Sequence, residues 1–236
     1  MLKTLGICAA LGLWSGAADA CRLALVLAMD VSNSVDARED ALQRNGLASA
    51  LLHPDVQDAF LVSSDPVSLL IFEWSGQYNQ DIIVDWVAIT SPEVLFNAAN
   101  TVANSTRIAR DSPTSLGYAL GFAATKLREV PACANRTIDV AGDGKNNHGF
   151  GPAEAYAAFP FDNVIVNGLV IDAGSFAGND GLIPFYRNEV LRGPGAFLEI
   201  ATRFEDFEET MRRKLLRELL SQMIGRTGAT DTPTRG

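Results

Sequence analysis

Two short stretches of this 236-residue chain carry side chains whose types and spacing suit a hard cation. Asp30-Val31-Ser32-Asn33-Ser34 sets three oxygen-bearing side chains at alternate positions, and Ala141-Gly142-Asp143-Gly144 adds a second aspartate far along the chain. Each stretch follows an apolar run, which places it in the loop after a buried strand. Carboxylate and hydroxyl oxygens are the ligands that a hard cation takes. Considered singly, the same residues have plainer uses. Ser34 or Asp36 is a natural cap for a following helix, and Asp143-Gly144 makes a turn.

Other chemistry is sparse. The only histidines are His53 and His148, and His53, directly before Pro54 at a helix end, suits a cap or surface position better than a general base. No G-x-S-x-G, H-E-x-x-H or phosphate-cradling glycine loop occurs. The chain is therefore expected not to be an enzyme. The alternative is a metal-activated hydrolase built on Asp30 and Asp143, since a bound dication can activate water. Turnover of generic ester or phosphoester substrates with Mg²⁺ or Mn²⁺ would mark it. A third possibility is a structural exported domain that does not respond to metal.

The elements that must position these residues are legible in the apolar pattern. Near-continuous apolar segments at Leu23–Met29, Val67–Phe72, Ile138–Ala141, Val164–Ile171 and Ala196–Ile200 predict strands buried on both faces. Helical spacing between them predicts helices over Ala37–Leu52, Pro92–Ala103, Ser115–Val130 and Phe204–Ile224, the second opened by Ser91 as cap and Pro92. One connection breaks the alternation. Val67–Trp74 and Asp81–Val87 are joined only by Ser75-Gly76-Gln77-Tyr78-Asn79-Gln80, too short for a crossover helix, so this pair forms an antiparallel hairpin. The expected fold class is α/β: a mostly parallel central sheet with one antiparallel strand, helices on both faces, and functional loops at the carboxyl ends of the strands.

The start of the chain predicts export. Lys3 precedes the apolar stretch Leu5–Trp14, and Ala18-Asp19-Ala20 offers a small-x-small cleavage site, so residues 1–20 are expected to be a cleaved signal peptide. A single domain over 21–225 and a polar tail over 226–236 follow, with no linker dividing the about 215 mature residues. No later segment approaches the roughly 20 apolar residues of a membrane span. Loss of Cys8 with the signal leaves Cys21 and Cys133, an even pair bound for an oxidising compartment. Cys21 lies nine positions before Asp30 and Cys133 ten before Asp143. If those aspartates end adjacent parallel strands, the cysteines sit level at the opposite end and can bridge. Two free thiols are the alternative. So is a lipid on Cys21, although Ala18 and Asp19 depart from the bulky aliphatic and small neutral residues such a site calls for. The expected location is periplasmic or secreted. A net charge of −9 argues against nucleic acid and anionic membranes as partners.

Taken together, these residues resemble the von Willebrand factor A-type domain, a Rossmann-like fold, over nearly the whole chain from Leu23 to Ile224. Its metal-ion-dependent adhesion site is written D-x-S-x-S after the first strand, a threonine before a later helix, and an aspartate after the fourth strand. Asp30, Ser32 and Ser34 match the first element, Thr114 in Ser112-Pro113-Thr114-Ser115 the second, and Asp143 the third; taken singly, Thr114 suits an N-cap of its helix equally well. The resemblance implies that Ser32 and Ser34 bind Mg²⁺ (or Mn²⁺ or Ca²⁺) directly, Thr114 directly or through water, and Asp30 and Asp143 mostly as outer partners that orient waters and hydroxyls. It implies in turn a protein ligand that offers an Asp or Glu carboxylate to the ion. Ser112-Pro113 stands where small flexible residues often precede the threonine, which stiffens that loop. Glu73-Trp74-Ser75 and Gly193-Pro194-Gly195-Ala196-Phe197 look more narrowly like an uncharacterised group of exported bacterial proteins built on this domain.

Other polar residues are harder to place. Asp139 interrupts an apolar strand, and burying it requires partners, expected from neighbouring loops or Arg136, or else a further polar site away from the metal. Lys145-Asn146-Asn147-His148 is expected as a solvated loop beside the metal. Met211–Arg217 is expected to pack on the sheet with a solvated basic edge. Asn104-Ser105-Thr106 and Asn135-Arg136-Thr137 fit the glycosylation pattern, but the short signal and compact chain point to a bacterial source, in which that pattern is expected to carry no meaning.

Overall fold

The computed structural model describes residues 21–108, 112–130, 133–172 and 181–227, with side chains described to residue 221. The signal peptide expected over 1–20 and most of the tail lie outside the described residues.

Strand β1 (Cys21–Asp30) is followed by α1 (Ala37–Leu52), α2 (Pro54–Leu61), β2 (Val67–Trp74), β3 (Gln80–Ile89), α3 (Pro92–Asn104) and α4 (Leu116–Lys126). Then come β4 (Cys133–Gly142), α5 (Pro152–Ala158), β5 (Val164–Ile171), α6 (Leu182–Phe185), β6 (Leu198–Ala201) and α7 (Phe207–Thr227). The strands form one sheet in the order β3-β2-β1-β4-β5-β6. All neighbours are parallel except β2 and β3, the hairpin that its short connection demanded.

Every residue of β1 is buried. Leu23, Leu25, Leu27 and Met29 face a core with Leu47 and Leu51 of α1 and Phe207, Met211 and Leu215 of α7. Ala24, Val26 and Ala28 face a second core with Leu116, Leu120 and Ala123 of α4. Two apolar faces explain why the strand reads as a continuous apolar run rather than an alternating one. From β1 the chain winds outward to β2 and β3, then returns to the other side of β1 to lay down β4, β5 and β6. The winding direction therefore changes between β1 and β4, and in open α/β sheets that crevice at the carboxyl ends is where ligands bind. Asp30 ends β1 and Asp143 directly follows β4.

At the opposite end of the same two strands, Cys21 pairs with Cys133 in register and the two are disulfide-bonded, with Cα atoms 4.3 Å apart. Three short helices, α2, α5 and α6, were not anticipated. His53 ends α1 and starts α2, its Nδ1 accepting from the Asp55 amide at 3.3 Å, so this histidine is the cap its neighbour Pro54 suggested. Helix α5 is a seven-residue element with Pro152 in its first turn.

Asp139 is buried, and its partner differs from those expected. Its Oδ1 lies 3.0 Å from Nζ of Lys214 on α7, which also reaches Glu218 Oε1 at 3.1 Å. Lys214 is fully buried rather than on a solvated edge. A four-residue step along α7 puts Lys214 and Glu218 on one face, and that face meets the polar row Asp139 and Asn167 on β4 and β5. Phe197, from the glycine-rich segment, donates its amide to Asn167 at 2.9 Å and lays its ring against Lys214 and Arg217. Burial and the Glu218 charge push the Asp139 carboxyl upward; burial works against the Lys214 charge, but Asp139 and Glu218 outweigh it and raise that group too.

Candidate metal centre

All five candidate residues meet at the carboxyl ends of β1 and β4. Asp30 and Ser32 are fully buried and form the floor, Thr114 closes one side, and Ser34 and Asp143 stand at the mouth, where Ser34 is exposed. Thr114 Oγ1 donates to Ser32 Oγ at 3.2 Å, and Ser34 Oγ donates to Asp143 Oδ1 at 2.7 Å. Ser32 and Ser34 hydroxyls are 3.2 Å apart. With Ser34 committed to Asp143, Ser32 donates to Ser34, and four residues form one chain of hydrogen bonds ending on a carboxylate.

The plainer roles are taken by other residues. Asp36, not Ser34, caps α1, accepting from the Arg38 and Glu39 amides at 2.7 and 2.8 Å, with Glu39 reaching back to the Asp36 amide. Helix α4 begins after Ser115, and no side-chain cap hydrogen bond is made there, so Thr114 is not its cap.

Several contacts hold the loop that carries Ser32 and Ser34. The Val31 amide donates to the Trp74 carbonyl and the Asn33 amide to the Ser112 carbonyl, both at 2.9 Å. Arg107 donates to the carbonyls of Val35 and Ser32 at 2.6 and 3.0 Å. Arg107 is held in turn by its own segment: the Ile108 amide donates to Glu73 Oε1 at 2.9 Å, and buried Arg44 joins Glu73 to Ser105. The loop after β4 does the same for Thr114. Asn147 exchanges two hydrogen bonds with the Thr114 backbone at 3.0 Å, Asn146 accepts from the Gly117 amide at 3.2 Å, and His148 Nδ1 lies 3.2 Å from Ser115 Oγ. These three residues anchor the site instead of forming only a solvated loop. No sequence motif marked Arg107, and Asn147 was visible only as part of a polar run.

Two carboxylates in so dry a place resist ionisation. Burial, and then the Asp143 charge, raise Asp30 to about 8, opposed by hydrogen bonds from Ser32 and by Arg107. Burial raises Asp143 as well. Asp30 Oδ1 accepts from the Ser32 amide at 2.8 Å, while its buried Oδ2 has no hydrogen-bond partner among the described residues. A buried acceptor left waiting, three converging hydroxyls and two destabilised carboxylates fit a small oxygen-preferring dication. Among the described residues there is no group of three or more His, Cys, Asp or Glu side chains placed to hold a metal.

The fold is that of the von Willebrand factor A-type domain. Proximal thread matrix protein 1 from the mussel byssus matches at a TM-score of 0.61 and 13% identity, over 85% of this chain and 48% of that one. The von Willebrand factor type A protein from Catenulispora acidiphila matches at 0.57 and 14%, over 85% and 43%. The pilus adhesin SpaC from Lactobacillus rhamnosus GG matches at 0.60 and 12%, over 88% and 31%. This chain thus spans half or less of the length of these proteins. The mussel protein is also known with zinc occupying its MIDAS motif. The chain belongs to the DUF1194 family, described as a protein of unknown function, whose model matches residues 20–223. No curated protein matches it.

Proposed function

We propose that this chain is an exported binding module that grips a carboxylate on a protein partner through a divalent cation held by Ser32, Ser34 and Thr114, with Asp30 and Asp143 behind them. The observation that carries this reading is the convergence of three hydroxyls and Asp143 in one hydrogen-bonded chain, beside an Asp30 whose buried Oδ2 has no hydrogen-bond partner among the described residues. Mg²⁺ is the first candidate, with Mn²⁺ and Ca²⁺ as the other hard ions, and such an ion supplies an electrophilic position open to an outside carboxylate.

The protein's own part is to orient and to withhold charge. Ser32 and Ser34 offer neutral oxygens, which leave the ion's charge uncompensated. Asp30 and Asp143 position hydroxyls and waters from behind. Exposed Ser34 and half-buried Asp143 leave the mouth accessible to a macromolecule. The zinc-occupied motif of the mussel protein and the pilus adhesin among similar structures support the same reading. Export is supported by the residues 1–20 pattern and by the disulfide. With its sulfur bonded to Cys133, Cys21 has none left for a lipid thioether.

The test is titration of the mature protein with Mg²⁺ and Mn²⁺ by calorimetry and thermal melting, alongside Asp30→Ala and Asp143→Ala, with and without excess acetate. Saturable stabilisation, strengthened by acetate and lost in both variants, is expected. Tight Mg²⁺ binding by a well-folded Asp30→Ala protein would sink the reading, and metal-dependent turnover of ester substrates would replace it with hydrolysis.

A further inference from the structure

Tyr186 lies in the π-helical turn Tyr186–Val190, between α6 and β6, and no motif draws attention to it. Such turns are rare and are frequent at functional sites. The residue is fully buried, and its hydroxyl has no hydrogen-bond partner among the described residues.

Two glycines on neighbouring strands make its slot. A methyl group on Gly168 of β5 would sit 2.9 Å from Tyr186 Cδ1, so a larger residue there would displace the ring. On β4, a methyl group on Gly142 would sit 2.6 Å from the Tyr186 hydroxyl and 3.0 Å from Asp30 Oδ2. The hydroxyl and the carboxylate oxygen therefore border the same small space. Both are buried and without a partner among the described residues; the carboxylate, once ionised, can only accept, while the hydroxyl can donate. A buried hydroxyl left unpaired forfeits the hydration it had in water with nothing in return. Two complementary groups in that condition, facing a gap that only glycine leaves open, point to a contact that the binding state completes.

We infer that Tyr186 is a positioning residue of the metal site, whose hydroxyl donates, directly or across one water, to the Asp30 carboxylate and fixes its orientation. The inference rests on the metal-binding reading of that site. A carboxylate oxygen has two lone pairs, so a donor from beneath leaves Asp30 free to serve the ion's hydration shell from above. Outer partners of this kind are worth roughly 10–100-fold in metal affinity.

The test compares wild type with Tyr186→Phe by Mn²⁺ calorimetry, metal-free melting, and the near-ultraviolet tyrosine difference spectrum on adding Mn²⁺. The expected result is a Kd weakened by about tenfold or more. The metal-free melting temperature should be unchanged or higher, and a metal-induced tyrosine band present in wild type should be missing from the variant. A purely packing role would lower the melting temperature and leave Kd alone. Equal Mn²⁺ affinity in both proteins, or a band that survives the substitution, would overturn the inference while leaving the metal reading intact. A wild-type protein that binds no metal would overturn both.

Discussion

The Ser34 hydroxyl donates to Asp143 Oδ1 at 2.7 Å, joining the loop after β1 to the loop after β4 across 109 positions of sequence. It spans the crevice where the winding of the sheet reverses, and it is the outermost link in the chain of hydroxyls that begins at Thr114. Ser34→Ala removes an oxygen assigned to the ion from an exposed position. Mg²⁺ affinity should fall tenfold or more by calorimetry, while the metal-free melting point moves by no more than about 2 °C, as surface changes do. An unchanged Kd would remove Ser34 from the ligand set.

The acidic pair makes the metal-free protein sensitive to pH. The Asp30 carboxyl is raised to about 8 in the folded state from an ordinary value of 3.8, so the folded protein holds a proton that the unfolded chain has released. Stability from this group is fully present below about pH 4 and is lost as pH rises toward 8, at no more than about 1.4 kcal/mol per pH unit. Metal-free melting temperatures should therefore decline between pH 6 and 8, less steeply in Asp30→Asn. Saturating Mg²⁺ favours the ionised carboxylates and should flatten or reverse the slope; a decline untouched by Mg²⁺ would place the titrating group elsewhere.

Lys214 holds α7 to the sheet through Asp139 of β4 and pairs with Glu218 on its own helix. Lys214→Met leaves Asp139 and Glu218 buried without a cation, and breaking a buried pair in this way costs roughly 3–5 kcal/mol. Urea denaturation should show that loss. Replacing Asp139 and Glu218 by leucine in the same protein should recover most of it, because the cost comes from unpaired charge and not from missing volume. A single substitution costing less than about 1 kcal/mol would show that water reaches the cluster.

Glu73 controls the site from a distance. It accepts from the Ile108 amide and pairs with Arg44, and so fixes the segment from which Arg107 reaches the Ser32 and Val35 carbonyls. Glu73→Ala should destabilise the fold by about 3–5 kcal/mol. Metal affinity should fall as well, since Ser32 loses its tether. Calorimetry on the folded fraction separates the two effects, and unimpaired Mg²⁺ binding would confine Glu73 to a stabilising role.

The chain by itself determined the architecture. Doubly buried strands must be apolar throughout, so β1, β2 and β5 announced themselves, and the five residues between β2 and β3 left no length for a crossover. The cysteine spacing, counted against the two aspartates, determined the disulfide once parallel neighbours were assumed. Asp30, Ser32, Ser34 and Asp143 were legible from their places just after apolar runs, and Thr114 was joined to them by the resemblance to the von Willebrand factor A-type domain. Tertiary structure alone decided which residues answer one another across long separations, Lys214 for Asp139, Arg107 for the Ser32 carbonyl and Asn147 for Thr114, and it alone set Tyr186 and Asp30 at the edge of the same small gap. Apolar periodicity encodes which face of an element is buried. It carries no information on which polar group a neighbouring element brings to that face, because that depends on helix rotation and strand register summed over the whole fold.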